Sequence, residues 1–138
     1  MAPAANFARQ YRMEHKQTIV LRKDLNMRKG KMIAQGAHAS MRAILQLGRQ
    51  DGDNFTIPLD DRLAPWLLGR FKKIAVSVNS EAELLALHEK AKSLGLITSL
   101  IQDAGLTEFG GVPTYTAVAV GPDREDRVDE VTGDLPLL

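Results

Sequence analysis

Cysteine is absent from the 138 residues, which excludes disulfides and thiolate metal sites and leaves the compartment open. No apolar run approaches the ~18 residues of a membrane-spanning helix. The three histidines, His15, His38 and His88, lie far apart and show neither HxxH nor HExxH spacing, so no metal site is expected. The phosphate-cradling pattern GxxxxGK[ST] is missing, which removes the P-loop enzymes. No internal repeat or low-complexity block is visible.

What remains is one domain large enough for a real core. A hydrophobic fraction of 44% and a charged fraction of 25% are those of a soluble globular protein. The net charge of +1 hides a division. Met1–Lys73 carries 14 Lys/Arg against 6 Asp/Glu, a net +8, and Ile74–Leu138 carries 4 against 11, a net −7. A basic half on a near-neutral chain suggests a positive face for a polyanion; a merely solvated surface is the bland alternative.

The stretch Met27–Arg42, MRKGKMIAQGAHASMR, is the most informative. It opens on cations and glycine, then becomes helix-compatible. Lys31, Gln35, His38 and Arg42 share one helical face, and Ile33, Ala37, Met41, Ile44 and Leu45 share another, the candidate core stripe. The free amides of a helix start suit an anion, phosphate above all.

In chain order, residues 1–16 read as a flexible lead-in. Arg9 and Arg12, with no acid before Glu14, have a trace of transit-peptide character. The segment is short and poor in serine, so the expected location is cytoplasmic. Gln17–Arg22 reads as a first strand. The helix above follows and fades near Gly48. Arg49–Asp61 reads as a loop, and Asp61–Arg70 around Trp66 as a short helix. Lys72–Val78 is a second strand. Ser80, with Glu83 as capping-box partner, starts a helix that ends at Gly95. Leu96–Ile101 is a third strand and Thr114–Val120 a fourth, ended by Gly121-Pro122. Asp123–Val131 reads as a short acidic helix, before a tail whose leucines can pack down.

Connection lengths give the topology. Helices join strands one to two and two to three, so parallel crossovers are expected. About a dozen residues join three to four, which predicts an antiparallel pair. The expected fold is an α/β single domain: a mixed four-stranded sheet, helices on both faces, last strand antiparallel. The carboxyl ends of strands one and three then bring Lys29–His38 and Gln102–Thr107 to one rim, with Thr114 or Thr116 nearby. This constellation has neither a triad nucleophile with its base nor glycosidase-type paired carboxylates. By themselves the residues reach a basic domain with a phosphate-friendly rim, and no reaction.

Four motifs carry more. KGKMIAQGAHA (Lys29–Ala39), LIQDAGLT (Leu100–Thr107), VAVGP (Val118–Pro122) and VTGDLPLL (Val131–Leu138) resemble the second, archaeal and eukaryotic type, peptidyl-tRNA hydrolase family. The resemblance runs in order over 17–138, with an insertion at about 48–70. It implies hydrolysis of the ester joining a peptide to the 3′ adenosine of tRNA, with no cofactor and no metal. It implies Lys31, Asp103 and Thr116 as catalytic residues, with His38 beside them. Arg22, Lys23, Arg28, Lys29, Gln35, Gln102 and Thr107 become candidate contacts to the acceptor arm of peptidyl-tRNA. It also implies a homodimer, with the tail and first helix as candidate contacts.

Three departures stand out. Arg28 replaces a small residue. The Asp103–Thr116 spacing is one residue longer than the pattern, so Thr114 is a possible substitute. Ala119 stands where glycine is common. Two rivals belong to other classes. A non-catalytic RNA- or nucleotide-binding module would keep the cations without needing Asp103 and Thr116 together. An interaction protein using the leucine-rich tail would have no affinity for tRNA.

Overall fold

The sheet is built on two runs whose side chains alternate between two cores. A computed structural model describes residues 14–138. Its elements are β1 (His15–Arg22), α1 (Lys29–Leu45), β2 (Arg49–Asp51), β3 (Asn54–Thr56), α2 (Ala64–Leu67), β4 (Lys73–Val78), α3 (Glu81–Ser93), β5 (Thr98–Asp103), β6 (Thr114–Arg124) and α4 (Glu125–Thr132). The main sheet has the order β4-β1-β6-β5. β1 pairs parallel with β4, and β6 runs antiparallel to both β1 and β5. The expected mixed sheet with an antiparallel last strand is therefore present, with that strand inserted between β1 and β5.

Alternation along β1 and β6 assigns the faces. Val20, Val118 and Val120 point into one cluster, which Leu84 and Ala91 of α3 and Val128 and Val131 of α4 complete. Leu21, Ala117 and Ala119 point into the other, against Ala39 and Ala43 of α1. Small residues on β6 let α1 approach closely; a Cβ added at Gly36 would stand 3.4 Å from Ile19 Cγ2. Ala119, in place of the common glycine, fits this seam and is fully buried.

This close seam overturns one expectation. The apolar stripe of α1 is not its core face: Ile33 is 73% and Met41 57% exposed, and Leu45 is exposed too. The buried stripe consists of Gln35, Gly36, Ala39, Ser40 and Ala43. A helix lying on Ala117 and Ala119 buries small side chains and leaves its large ones outside.

Other differences are local. β1 begins at His15, so residues 15–16 leave the proposed lead-in; the rest of that reading, on 1–13, lies outside the described residues. Arg49–Thr56, expected as loop, contains the β2–β3 hairpin. The reading missed it because both strands are three residues long, exposed and polar. β5 runs on to Asp103 and β6 to Arg124. A register shift between Lys16 and Thr18 takes up Gly121-Pro122 without ending the strand. Ser80 Oγ accepts from the Glu83 amide (3.1 Å), but Glu83 reaches back to the Asn79 amide (2.6 Å). The tail pads the outer edge of β4: the Ser77 amide donates to the Pro136 carbonyl and the Leu138 amide to that of Ala75. Leu135 joins the valine core, whereas Leu137 and Leu138 stay exposed.

Candidate active site

The first turn of α1, the end of β5 and the start of β6 meet at the carboxyl rim of the parallel strands. Nothing caps α1 there: Arg28 supplies no side-chain bond, and no acid stands in the first turn. The helix start thus keeps its positive character. Lys31 projects from this turn onto Asp103, Nζ to Oδ1 2.8 Å, and also donates to Thr107 Oγ1 at 3.0 Å. One turn on, Gln35 Nε2 donates to the same Asp103 oxygen at 3.3 Å. Its Oε1 accepts from Thr116 Oγ1 at 2.5 Å. The other Asp103 oxygen accepts the Gly105 amide at 2.9 Å.

The result is a relay, Thr116–Gln35–Asp103–Lys31–Thr107, spanning three elements and a loop. Asp103 is held as an anion. The hydrogen bond from Lys31 lowers its pKa most; the Gly105 amide, the Lys31 charge and nearby His38 add to this, against a desolvation that raises it. Lys31 and Asp103 are each mostly covered but open on one side. The Phe109 ring lies 5.7 Å from Lys31 Nζ.

The structure brings Lys31, Asp103, Gln35 and Thr107 together. Thr116 lies underneath them, fully buried, rather than at the solvated rim expected for it. It bonds Gln35, and Gln35 bridges it to Asp103. Thr114 instead donates to the Val112 carbonyl, which leaves Thr116 as the threonine of the relay. His38 is exposed and shares with Gln35, Arg42, Leu100, Gln102 and Asp103 a cleft of about 400 Å³. Lys23, Arg28 and Lys29 are exposed around the helix start. Arg28 approaches Glu108 at 4.0 Å. Arg22 is tied down, donating to Asp24 at 2.7 Å and to the Tyr115 carbonyl at 3.0 Å. Gln35, expected on an open face, is only 2% exposed. Gly105 and Arg42 were not chosen from sequence. The glycine that follows the aspartate in QDAG, which the structure places at φ 81°, was the available signal for the first, and the Lys31–Arg42 stripe for the second.

Among the described residues no three His, Cys, Asp or Glu side chains gather as a metal site, and no helix is long and apolar enough to cross a membrane. The sequence profile of the family Peptidyl-tRNA hydrolase PTH2 matches residues 15–138. The chain belongs to this family. A peptidyl-tRNA hydrolase of Methanocaldococcus jannaschii is 43% identical over 123 residues, 89% of this chain and 99% of the relative. One from Methanopyrus kandleri is 44% identical over 124 residues, covering 90% and 98%. One from Thermococcus onnurineus is 41% identical over 126 residues, with the same coverage. The PTH2 match includes every member of the relay.

Proposed function

We infer that the protein hydrolyses peptidyl-tRNA, cleaving the ester between the peptide and the 3′ ribose to release free tRNA and peptide. The carrying observation is the anionic Asp103, gripped by Lys31 and Gln35 beside an open cleft, in a chain that matches PTH2 over residues 15–138. Ester hydrolysis needs an aimed water, support for the developing oxyanion and a proton for the leaving ribose oxygen. Asp103 orients the water as hydrogen-bond acceptor. Its lowered pKa makes it a weak base, so positioning is its main contribution. Lys31 supports negative charge on the carbonyl oxygen or a neighbouring phosphate. Thr116 acts on Asp103 through Gln35. His38, solvent-exposed in the cleft, meets substrate and can move a proton to the ribose oxygen. Water's oxygen joins the carbonyl carbon as the ester C–O bond breaks.

Lys23, Arg28 and Lys29, with Gln102 at the cleft, suit the phosphates of the acceptor arm. The exposed stripe Ile33–Met41 and the nearby Leu138 suit a homodimer, and sedimentation as monomer alone at micromolar concentration would count against it. The cytoplasm is the fitting compartment for such a substrate. The deciding experiment is release of labelled peptide from peptidyl-tRNA by the purified protein. A protein that binds tRNA yet releases no peptide would be the non-catalytic module instead.

A further inference from the structure

The catalytic cleft does not end at Arg42. That residue also lines a second cleft of about 620 Å³, with Leu45, Gln46 and Phe55. Phe55 comes from β3, within the segment read as an insertion. Its ring lies against the bare backbone of Gly48, where an added Cβ would stand 2.5 Å from Phe55 Cε1. The ring is thus seated on one side, yet 53% exposed. Gln46 is occupied, donating to the Thr98 carbonyl at 2.9 Å. The Arg42 guanidinium has no hydrogen-bond or ion-pair partner among the described residues.

We propose that this Leu45–Phe55 cleft receives an apolar side chain of the peptide moiety, with Arg42 meeting the peptide carbonyls on the way; the proposal rests on the peptidyl-tRNA reading above. Three observations favour peptide over RNA here. Exposed Lys23, Arg28 and Lys29 cluster at the opposite end of α1, against Arg42 and Arg49 at this one, so the denser positive charge, which suits RNA, lies away from the cleft. The lining is predominantly apolar, which suits a leucine or phenylalanine better than a phosphate. The reach fits as well. Gln35 and Arg42 are seven residues apart, about 10 Å along a helix axis, and an extended peptide advances about 3.3–3.6 Å per residue. The third residue from the ester therefore arrives at the cleft. The other apolar cleft, lined by Ile19, Met32 and Ala75, shares no residue with the catalytic one.

The test uses the full chain and tripeptidyl-tRNAs that differ only in the third residue from the ester, leucine or glycine. Burying one such side chain corresponds to about a 10-fold or larger preference in kcat/KM for leucine. Phe55→Ser should erase that preference, and Phe55→Leu should keep most of it. Arg42→Gln should lower kcat/KM on both tripeptidyl substrates. Equal wild-type rates for leucine and glycine would overturn the proposal, as would a preference surviving Phe55→Ser. A Phe55→Ser protein that binds free tRNA more weakly would give the cleft to RNA, and one of altered sedimentation would give it to a second copy. Either result overturns the assignment. Failure of the underlying reading is distinct: wild-type protein would then release peptide from neither substrate.

Discussion

Gln35 is the residue that turns separate side chains into one device. Its amide works at both ends, the oxygen accepting from buried Thr116 and the nitrogen donating to Asp103. Gln35→Ala would strand the Thr116 hydroxyl without a partner, a loss of roughly 1–3 kcal/mol, and would free Asp103 to rotate. We expect turnover to fall at least about 10-fold while Lys31 still pairs with Asp103; thermal melts and kcat on one preparation separate the two effects. Asp103→Asn and Lys31→Ala should each cost at least ~10²-fold in turnover, comparable to losing one preorganised transition-state contact. The pH dependence follows from the sign of the Asp103 shift. Its folded pKa is lowered, chiefly by the Lys31 hydrogen bond. Its contribution to stability is therefore full above the unfolded carboxylate value of about 3.9 and is lost as pH falls through the lower folded value. Wild type and Asp103→Asn should differ in stability by a constant amount from about pH 5 to 8, and the gap should close below about pH 4. Lys31→Ala should move the acid limb of kcat/KM upward, and an unmoved limb would remove Lys31 from control of Asp103.

The loop from Gly105 to Val112 shows how an element holds this geometry. Gly105 has φ +81°, and a Cβ there would meet the Val112 carbonyl oxygen at 2.3 Å. Its amide binds Asp103, and its carbonyl accepts from the Gly111 amide at 2.8 Å. Gly105→Ala should open the loop and cost turnover more than folding, because the strands on either side pack independently of it. Activity losses of 10-fold or more, with a melting temperature lowered by only a few degrees, would show this in a kinetic and thermal comparison. The same scale explains what was legible in the sequence. β-branched runs, the Ser80 cap and connection lengths marked the main strands, α3 and the antiparallel return of β6, because each is a local signal. The face of α1 was not local. Helical spacing grouped Ile33, Ala37 and Met41 correctly, yet burial was decided by Ala117 and Ala119 on a strand some eighty residues away. Gln35, read as a contact to the acceptor arm, proved a buried bridge for the same reason: only the docked helix reveals the hydroxyl beneath it. The β2–β3 hairpin carries no apolar alternation, so its polar residues read as loop.

Among the described residues the sheet sorts the exposed charge of its helices as well as the core. α1 and the exposed Lys23, Arg28 and Lys29 belong to one face and rim. The acids Glu81, Glu83, Glu89, Glu125, Asp126 and Asp129 ride on α3 and α4, which pack against the other face. The division follows the helices rather than the sequence halves, since Lys16 and Lys72 of the basic half pair with Asp129 and Glu125 on α4, and the exposed cations at the α1 rim suit a polyanion. Binding through phosphates releases counterions, so affinity for tRNA should fall steeply with salt. If about three phosphates are neutralised, the log–log slope is near −2 to −3. Removing Lys23 and Lys29 together should flatten that slope by about 1 to 2. Lys90→Ala, on exposed α3, should leave it unchanged, because that cation lies on the acidic side. Anisotropy titrations with deacylated tRNA at several salt concentrations give all three slopes. A salt-independent affinity, or a Lys90→Ala slope as flat as that of the double variant, would show that charge division across the sheet does not direct the RNA.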